Sequence, residues 1–339
     1  AEAVKRGVFQ SGGFPAELPA LSVSEPLVKP TTMLYRNALA LEVEELIRSH
    51  PVDGVVLMGG CDKSTPGLIM GALSADVPAI FFPAGAMTNG DFRGQKIGAG
   101  THTRKFWDDK KAGLLSEDDW VEIETEMTRS IGTCNTMGTA STMTSIADAM
   151  GLTIPGGSSI LAVQSAHSRL AHKSGTRIVD MVWEDLKISK IVTSASVRNG
   201  IVADMALGGS TNAAIHLIAM AGRNKIEISL KDFDEISKKV PVLANLLPSG
   251  EHLMEDFAKA GGLKALLTRL TGELHLDCMT VTGKTLGEEI APAQVYDDDV
   301  IRSLDNPVTD RGTLSALFGN LAPNGAVIKA SAASPELLN

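Results

Sequence analysis

Cysteine is scarce in this chain: three residues in 339, Cys61, Cys134 and Cys278, far apart in sequence. An odd, scattered set argues against a disulfide framework and suits a reducing compartment. Aromatic residues make up only 4%, against 33 glycines and a hydrophobic fraction of 44%. That apolar content is too high for a disordered chain and fits a buried α/β core full of tight turns. No apolar run reaches the roughly 20 residues needed to span a bilayer, and no signal peptide is visible. The formal net charge is −9, with no basic patch, which argues against a nucleic-acid partner. We therefore expect a cytoplasmic protein with neither a membrane nor a nucleic-acid partner. Familiar catalytic signatures are missing too. No HxxxH or HxH pattern supports a histidine zinc site. No GxSxG elbow and no GxGxxG after a strand is present, against an α/β-hydrolase or a dinucleotide enzyme.

What is present is a series of glycine turns after short apolar runs. Residues 53–58 read as a strand buried on both faces. Gly59-Gly60 breaks it, and a helix follows with Ser64 as its cap and Pro66 in its first turn. Strand, glycine turn, polar residue, helix is the βα unit of a parallel sheet, whose ligands gather at the carboxyl ends of strands. Val77 to Phe82 repeats the scheme and ends in Pro83-Ala84-Gly85-Ala86-Met87. Helical patterns are expected over 1–10, 41–50, 116–130 (capped by Ser116), 138–150, 176–186, 191–206 and 213–221. Two or three amphipathic surface helices are expected over 229–270. From Asp277 short β-like runs, 279–281 and 325–329, alternate with turns. The expectation is an α/β domain over 1–276, a parallel sheet flanked by helices, then over 277–339 a connection and the start of a β-rich, barrel-like domain. The chain opens on Ala1, and both ends are expected to belong to a longer protein.

Two cysteines sit in glycine turns ahead of helices. In Cys61-Asp62-Lys63 a soft thiolate suits iron–sulfur clusters, zinc or copper(I), and the neighbouring carboxylate suits a hard cation such as Mg²⁺. The competing reading is a small buried cysteine beside a surface Asp–Lys pair. Cys134 lies in Gly132-Thr133-Cys134-Asn135-Thr136-Met137-Gly138, whose backbone N–H groups can hydrogen-bond cluster sulfurs; otherwise it is a helix-start cysteine without function. Cys278 has no glycine turn and reads as structural. Gly208-Gly209-Ser210-Thr211-Asn212 opens a helix whose free donors can hold a carboxylate or phosphate. Ser210, Thr211 and Asn212 are therefore substrate-binding candidates, unless the turn is only a close-packed cap. No Gly-Lys-Ser/Thr follows, so it is not a Walker loop. Glu25, alone, reads as a solvated loop carboxylate.

Together the segments Gly60-Cys61-Asp62-Lys63-Ser64-Thr65-Pro66-Gly67, Gly85-Ala86-Met87, Gly132-Thr133-Cys134, Gly208-Gly209-Ser210-Thr211-Asn212, Ala260-Gly261-Gly262 and Gly319-Asn320-Leu321-Ala322-Pro323-Asn324-Gly325 resemble the dihydroxy-acid and phosphogluconate dehydratase family over nearly the whole chain. Residues 132–140 look like its sugar-acid branch, which acts on aldonates such as arabinonate or xylonate. The resemblance implies a [2Fe–2S] cluster, rather than [4Fe–4S], held by three cysteines. Cys61 and Cys134 match the second and third. The first would lie upstream of Ala1, and Cys278 matches none. It also implies a Mg²⁺ site, with Glu25, Asp62 and a carbamylated Lys63 matching three of its ligands. A fourth carboxylate ligand and the catalytic serine base would lie beyond Asn339. The implied reaction dehydrates a 2,3-dihydroxy acid to a 2-keto-3-deoxy acid in a homodimer or homotetramer. Alternatives are a dihydroxy-acid dehydratase of branched-chain amino-acid synthesis, a redox or sensory iron–sulfur protein, and a non-catalytic scaffold.

Overall fold

A computed structural model describes residues 1–22 and 27–333. Its centre is a βαβ unit. Strand β1 (Val55–Gly59) runs parallel to β2 (Ala79–Pro83), with Val55 opposite Ala79 and Gly59 opposite Pro83. β2 is buried along its whole length, as its unbroken apolar run requires. Two helices precede the unit, α1 (Glu2–Gln10) and α2 (Met33–Ser49), and α3 (Ser64–Ala75) crosses between the strands. α3 lies close on α2 because Gly67 and Gly71 leave room for Leu39 and Val43.

A small satellite follows. β3 (Gly90–Phe92) and β4 (Gln95–Ile97) form a hairpin beside α4 (Thr101–Lys111) and α5 (Glu117–Met127). Ile97, Phe106, Ile123 and Met127 make its own core. Ser116 caps α5 in a reciprocal box with Asp119, as expected from the sequence.

The main core is helical. α6 (Thr139–Ala149) and α9 (Ser194–Leu207) pack together, almost wholly buried, with α10 (Asn212–Arg223) against both, while α7 (Ser165–Trp183) packs on α1 and the parallel strands and the short α8 (Ile188–Ile191) on α3. α7 begins eleven residues before the expected start. Its Gly175 is the reason: a Cβ there would stand 2.0 Å from the Val4 carbonyl oxygen, so this glycine admits α1 rather than breaking the helix. α11 (Leu230–Ser237), α12 (Met254–Lys259), α13 (Gly262–Thr268) and α14 (Leu286–Ile290) complete the helical part. Three of them fall in 229–270, where two or three amphipathic surface helices were expected: α11 buries only Phe233, Ile236 and Ser237, whereas α13 is buried at five of its seven residues.

The chain then turns to strand. β5 (Leu314–Gly319) and β6 (Ala322–Lys329) pair antiparallel and lean on α11. Residues 325–329 fall in β6 as expected. Residues 279–281 do not form a strand, and Met279 makes only an isolated bridge to Thr285. The α/β class with a parallel pair and a strand-containing C-terminal part agrees with the sequence. Among the described residues no helix is long and apolar enough to cross a membrane.

Candidate active site

The carboxyl ends of β1 and β2 carry the polar loops. After β1 the chain passes through Gly60-Cys61-Asp62-Lys63 into α3. Ser64 does not cap this helix as expected: it is already the first helical residue, Lys63 stands at the cap position, and no side chain closes the end. The Cys61 carbonyl takes that role, accepting from the Thr65 N–H at 3.2 Å and the Thr65 hydroxyl at 3.3 Å. Pro66 sits in the first turn, where its missing N–H costs nothing.

After β2 the Ala84 N–H donates to the Gly59 carbonyl, which ties the two loops together at 2.9 Å. Gly85-Ala86-Met87 then pairs with the distant Cys134 loop. Thr133 N–H donates to Gly85 O at 2.9 Å, and Met87 N–H to Thr133 O at 3.0 Å. Both glycines are required. Gly85 has φ +80° and Gly132 φ +136°, and a Cβ on Gly132 would lie 2.4 Å from the Met87 nitrogen. A Cβ on Gly60 would meet the Thr133 methyl at 2.8 Å. The residues just before Cys61 and Cys134 are thus in contact, and the fold brings these two cysteines, 73 positions apart, to one place.

Electrostatics at this place is unusual. Asp62 is 9% and Lys63 5% exposed, so the pair is not on the surface, as one reading of the sequence had it. Lys63 Nζ donates to Asp62 Oδ2 at 3.0 Å, and the Cys61 thiol donates to Asp62 Oδ1 at 3.6 Å. Burial pushes the Cys61 thiol up, and the Asp62 charge adds to it. Cys134 is an exposed residue, yet desolvation of its thiol again leads in raising it, with Asp62 contributing. Without a cation both thiols stay protonated, whereas a bound cation would reverse that order. A buried ion pair gains little net stability over apolar residues of similar volume, so its presence here points to chemistry rather than packing.

The turn of the substrate-binding candidates closes on the helix that follows Cys134. Thr139, the first residue of α6, shares a 2.7 Å hydrogen bond with the Ser210 hydroxyl and accepts one from Asn212 Nδ2 at 3.0 Å. Ser210 N–H donates to Thr142 Oγ1 at 3.2 Å. Thr211 is the cap residue of α10 and makes no side-chain cap bond. Two helix N-termini, those of α6 and α10, therefore meet at Ser210 and Thr139.

Sequence reasoning missed two neighbours. His216 on α10 is fully buried, and its Nδ1 lies 3.1 Å from Arg36 Nη1. Because a guanidinium only donates, Nδ1 must accept, which leaves the proton on Nε2. Burial, then the Arg36 and Lys63 charges, hold this imidazole down at about 4, so it is neutral near pH 7. A single histidine in an apolar helix was the available signal. The second is Asp204 on α9, fully buried with both carboxylate oxygens unpartnered among the described residues. Burial raises it from the ordinary 3.8 to about 8, and Lys329 pulls the other way. The folded state thus keeps a proton that the unfolded chain releases, and this contribution to stability is lost as pH rises from about 4 to 8. Asp204→Asn should therefore gain on the parent chain between pH 5 and pH 8. Urea midpoints at the two pH values check this, and a pH-independent difference would refute it.

Glu25 lies outside the described residues. Cys278 is elsewhere, half-buried near Thr193 and Asn199, and burial, then the Asp277 charge, push its thiol up. Among the described residues no group of three or more His, Cys, Asp or Glu converges as a ready metal site. What the described residues supply is part of a donor set: two soft thiols on paired loops, a buried carboxylate, and a buried amine beside it.

A family model for the dihydroxy-acid/6-phosphogluconate dehydratase N-terminal region matches residues 1–289, and one for the C-terminal region matches 299–339. The chain belongs to the dihydroxy-acid/6-phosphogluconate dehydratase family. Among its relatives, a 6-deoxy-6-sulfo-D-gluconate dehydratase of Pseudomonas putida is 60% identical over 99% of this chain and 59% of its own length. An L-arabinonate dehydratase of Rhizobium leguminosarum bv. trifolii is 50% identical over 100% of this chain and 59% of its own. A dihydroxy-acid dehydratase of Clostridium novyi is 39% identical over 99% of this chain and 62% of its own. The chain spans about three-fifths of the length of these dehydratases.

Proposed function

We propose that this protein is a hydro-lyase that dehydrates a sugar acid to its 2-keto-3-deoxy acid. The observation that carries the reading is the meeting of Cys61-Asp62-Lys63 with Cys134 at the ends of β1 and β2. The higher identity to sugar-acid dehydratases than to the dihydroxy-acid dehydratase supports an aldonate as substrate. In this proposal Cys61 and Cys134 hold a [2Fe–2S] cluster, and Asp62, carbamylated Lys63 and Glu25 hold Mg²⁺. Their partial donor set fits that pair of groups, soft thiols for iron and hard oxygens for Mg²⁺. When bound, the two groups supply Lewis acidity to the departing hydroxyl and to the developing enolate.

The remaining work falls to the chain. Ser210, Thr211 and Asn212 at the start of α10 bind the substrate's carboxylate or hydroxyls through their side chains, at the positive end of the helix. Thr139 fixes the Ser210 and Asn212 side chains for that task. The C2 proton and the C3 hydroxide leave together as one water. The resulting enol tautomerises to the ketone, so no electron is gained or lost. The same proposal makes the protein a cytoplasmic homodimer or homotetramer.

The test is a coupled assay for 2-keto acid in anaerobically prepared natural protein. The panel holds L-arabinonate, xylonate, gluconate, 6-deoxy-6-sulfogluconate and 2,3-dihydroxyisovalerate. Turnover of one or more aldonates is the expected result. Turnover of only the branched acid would transfer the protein to amino-acid synthesis, and a coloured protein with no turnover would favour a redox role.

A further inference from the structure

We propose that Lys329, at the end of β6, is a positioning residue that clamps the Gly208–Asn212 turn from the C-terminal strand pair. The inference rests on the reading of Ser210–Asn212 as substrate contacts. α9 ends at Gly208, which takes the left-handed conformation (φ +66°). Its carbonyl is left without a helical partner, as at every helix end. Lys329 Nζ donates to that carbonyl at 2.7 Å. A cation there also meets the negative end of the helix dipole.

The next carbonyl is held from the same side. Thr313, just before β5, donates its hydroxyl to Gly209 O at 3.3 Å. Thr313, Ser331 and Ser249 then form a chain of hydroxyls, each step 2.9 Å. From below, Gly209 N–H donates to the Asp204 carbonyl at 3.0 Å. The Asp204 carboxylate occupies the space a Cβ on Gly209 would need, 2.0 Å away. Two successive peptide planes are therefore fixed by residues that flank the β5–β6 hairpin. Those planes set where the Gly209 and Ser210 N–H groups point. If they rotate, the bonds to the Asp204 carbonyl and Thr142 Oγ1 break, and the Ser210, Thr211 and Asn212 side chains lose the backbone that places them.

None of Lys329, Thr313 and Ser331 touches the candidate ligand-binding side chains directly, so their influence passes through the turn. A charged hydrogen bond of this kind is worth about 1.5–3 kcal/mol, or roughly ten- to a hundredfold in an equilibrium constant. In the natural protein, Lys329→Met should speed amide exchange of Gly209 and Ser210 by at least about tenfold. β1 and β2 amides should be unaffected. KM for the sugar acid should rise by a similar factor, with kcat changing far less. Lys329→Gln keeps a donor without the charge and should fall between, which preserves the test if the methionine variant does not fold. Unchanged exchange at Gly209 and Ser210 in both variants would overturn the clamp. Faster exchange with an unchanged KM would support the clamp and remove the turn from the substrate site.

Discussion

Cys61→Ser and Cys134→Ser are each expected to abolish visible absorbance and turnover together. Serine is nearly isosteric with cysteine, and neither position lies in the closed apolar core: Cys61 is half-buried and Cys134 exposed. Folding should therefore survive, with thermal midpoints close to the parent's. What changes is the donor. A hydroxyl is a hard, poorly acidic oxygen and a weak ligand for iron, whereas a thiolate is the soft ligand clusters require. If a Lewis acid supplies several kcal/mol to the departing hydroxyl, its loss removes at least about 10³-fold in rate. Iron and sulfide content, the visible spectrum and kcat should be measured on the same anaerobic samples. Retention of colour and turnover in both variants would refute the ligand assignment. Cys278→Ser serves as the control and should keep both, since Cys278 lies near Thr193 and Asn199 and does not act on the other two thiols.

Lys63→Arg is expected to be nearly as severe for a different reason. Arginine keeps the positive charge and can still donate to Asp62. It cannot be carbamylated. In the proposed modification the ammonium first loses a proton, the neutral amine adds to carbon dioxide through a new N–C bond, and a second proton is released, so that a cation would become an anion. That anion can coordinate Mg²⁺, which a guanidinium cannot. A loss of about 10³-fold in kcat/KM is expected, with Mg²⁺ binding by calorimetry weakened in parallel. The decisive readout does not depend on activity. Protein equilibrated with ¹³C-labelled bicarbonate should show a carbamate carbon signal that Lys63→Arg lacks. No such signal in the parent, or full Mg²⁺-dependent turnover in the variant, would remove Lys63 from the metal site.

The parts of the fold read most easily were those where composition and geometry coincide. β1, α3 and β2 followed from two apolar runs and a glycine turn, and α5 from Ser116 with its acidic first turn. α4 escaped notice because THTRKFWDDKK buries only Phe106 and shows no apolar stripe. β3 and β4 are three residues each, too short for alternation to register. The start of α7 was hidden by Gly175, a residue that looks like a helix breaker until α1 is seen against it. At the site, the types and spacing of Cys61, Asp62, Lys63 and Cys134 were visible in the chain. Burial of the Asp62–Lys63 pair was not, because it depends on how the helices that pack on α3, α2 and α10, come together around the start of α3. His216, Arg36, Asp204 and Lys329 act across helices, and no local pattern announces such contacts.

The short bridge between Gly85–Met87 and Thr133 also has a thermodynamic meaning. Bringing Cys61 and Cys134 together closes a long loop, and closing one of that length costs roughly 4 kcal/mol of chain entropy. The backbone bonds at Thr133 meet that cost when the chain folds, before any group spans the two sulfurs. A bridging ligand therefore arrives at a chelate whose two arms are already assembled. Its affinity reflects bond formation almost undiluted by ordering. A substitution that opens the bridge, such as a side chain on Gly132, would weaken that affinity without touching either sulfur.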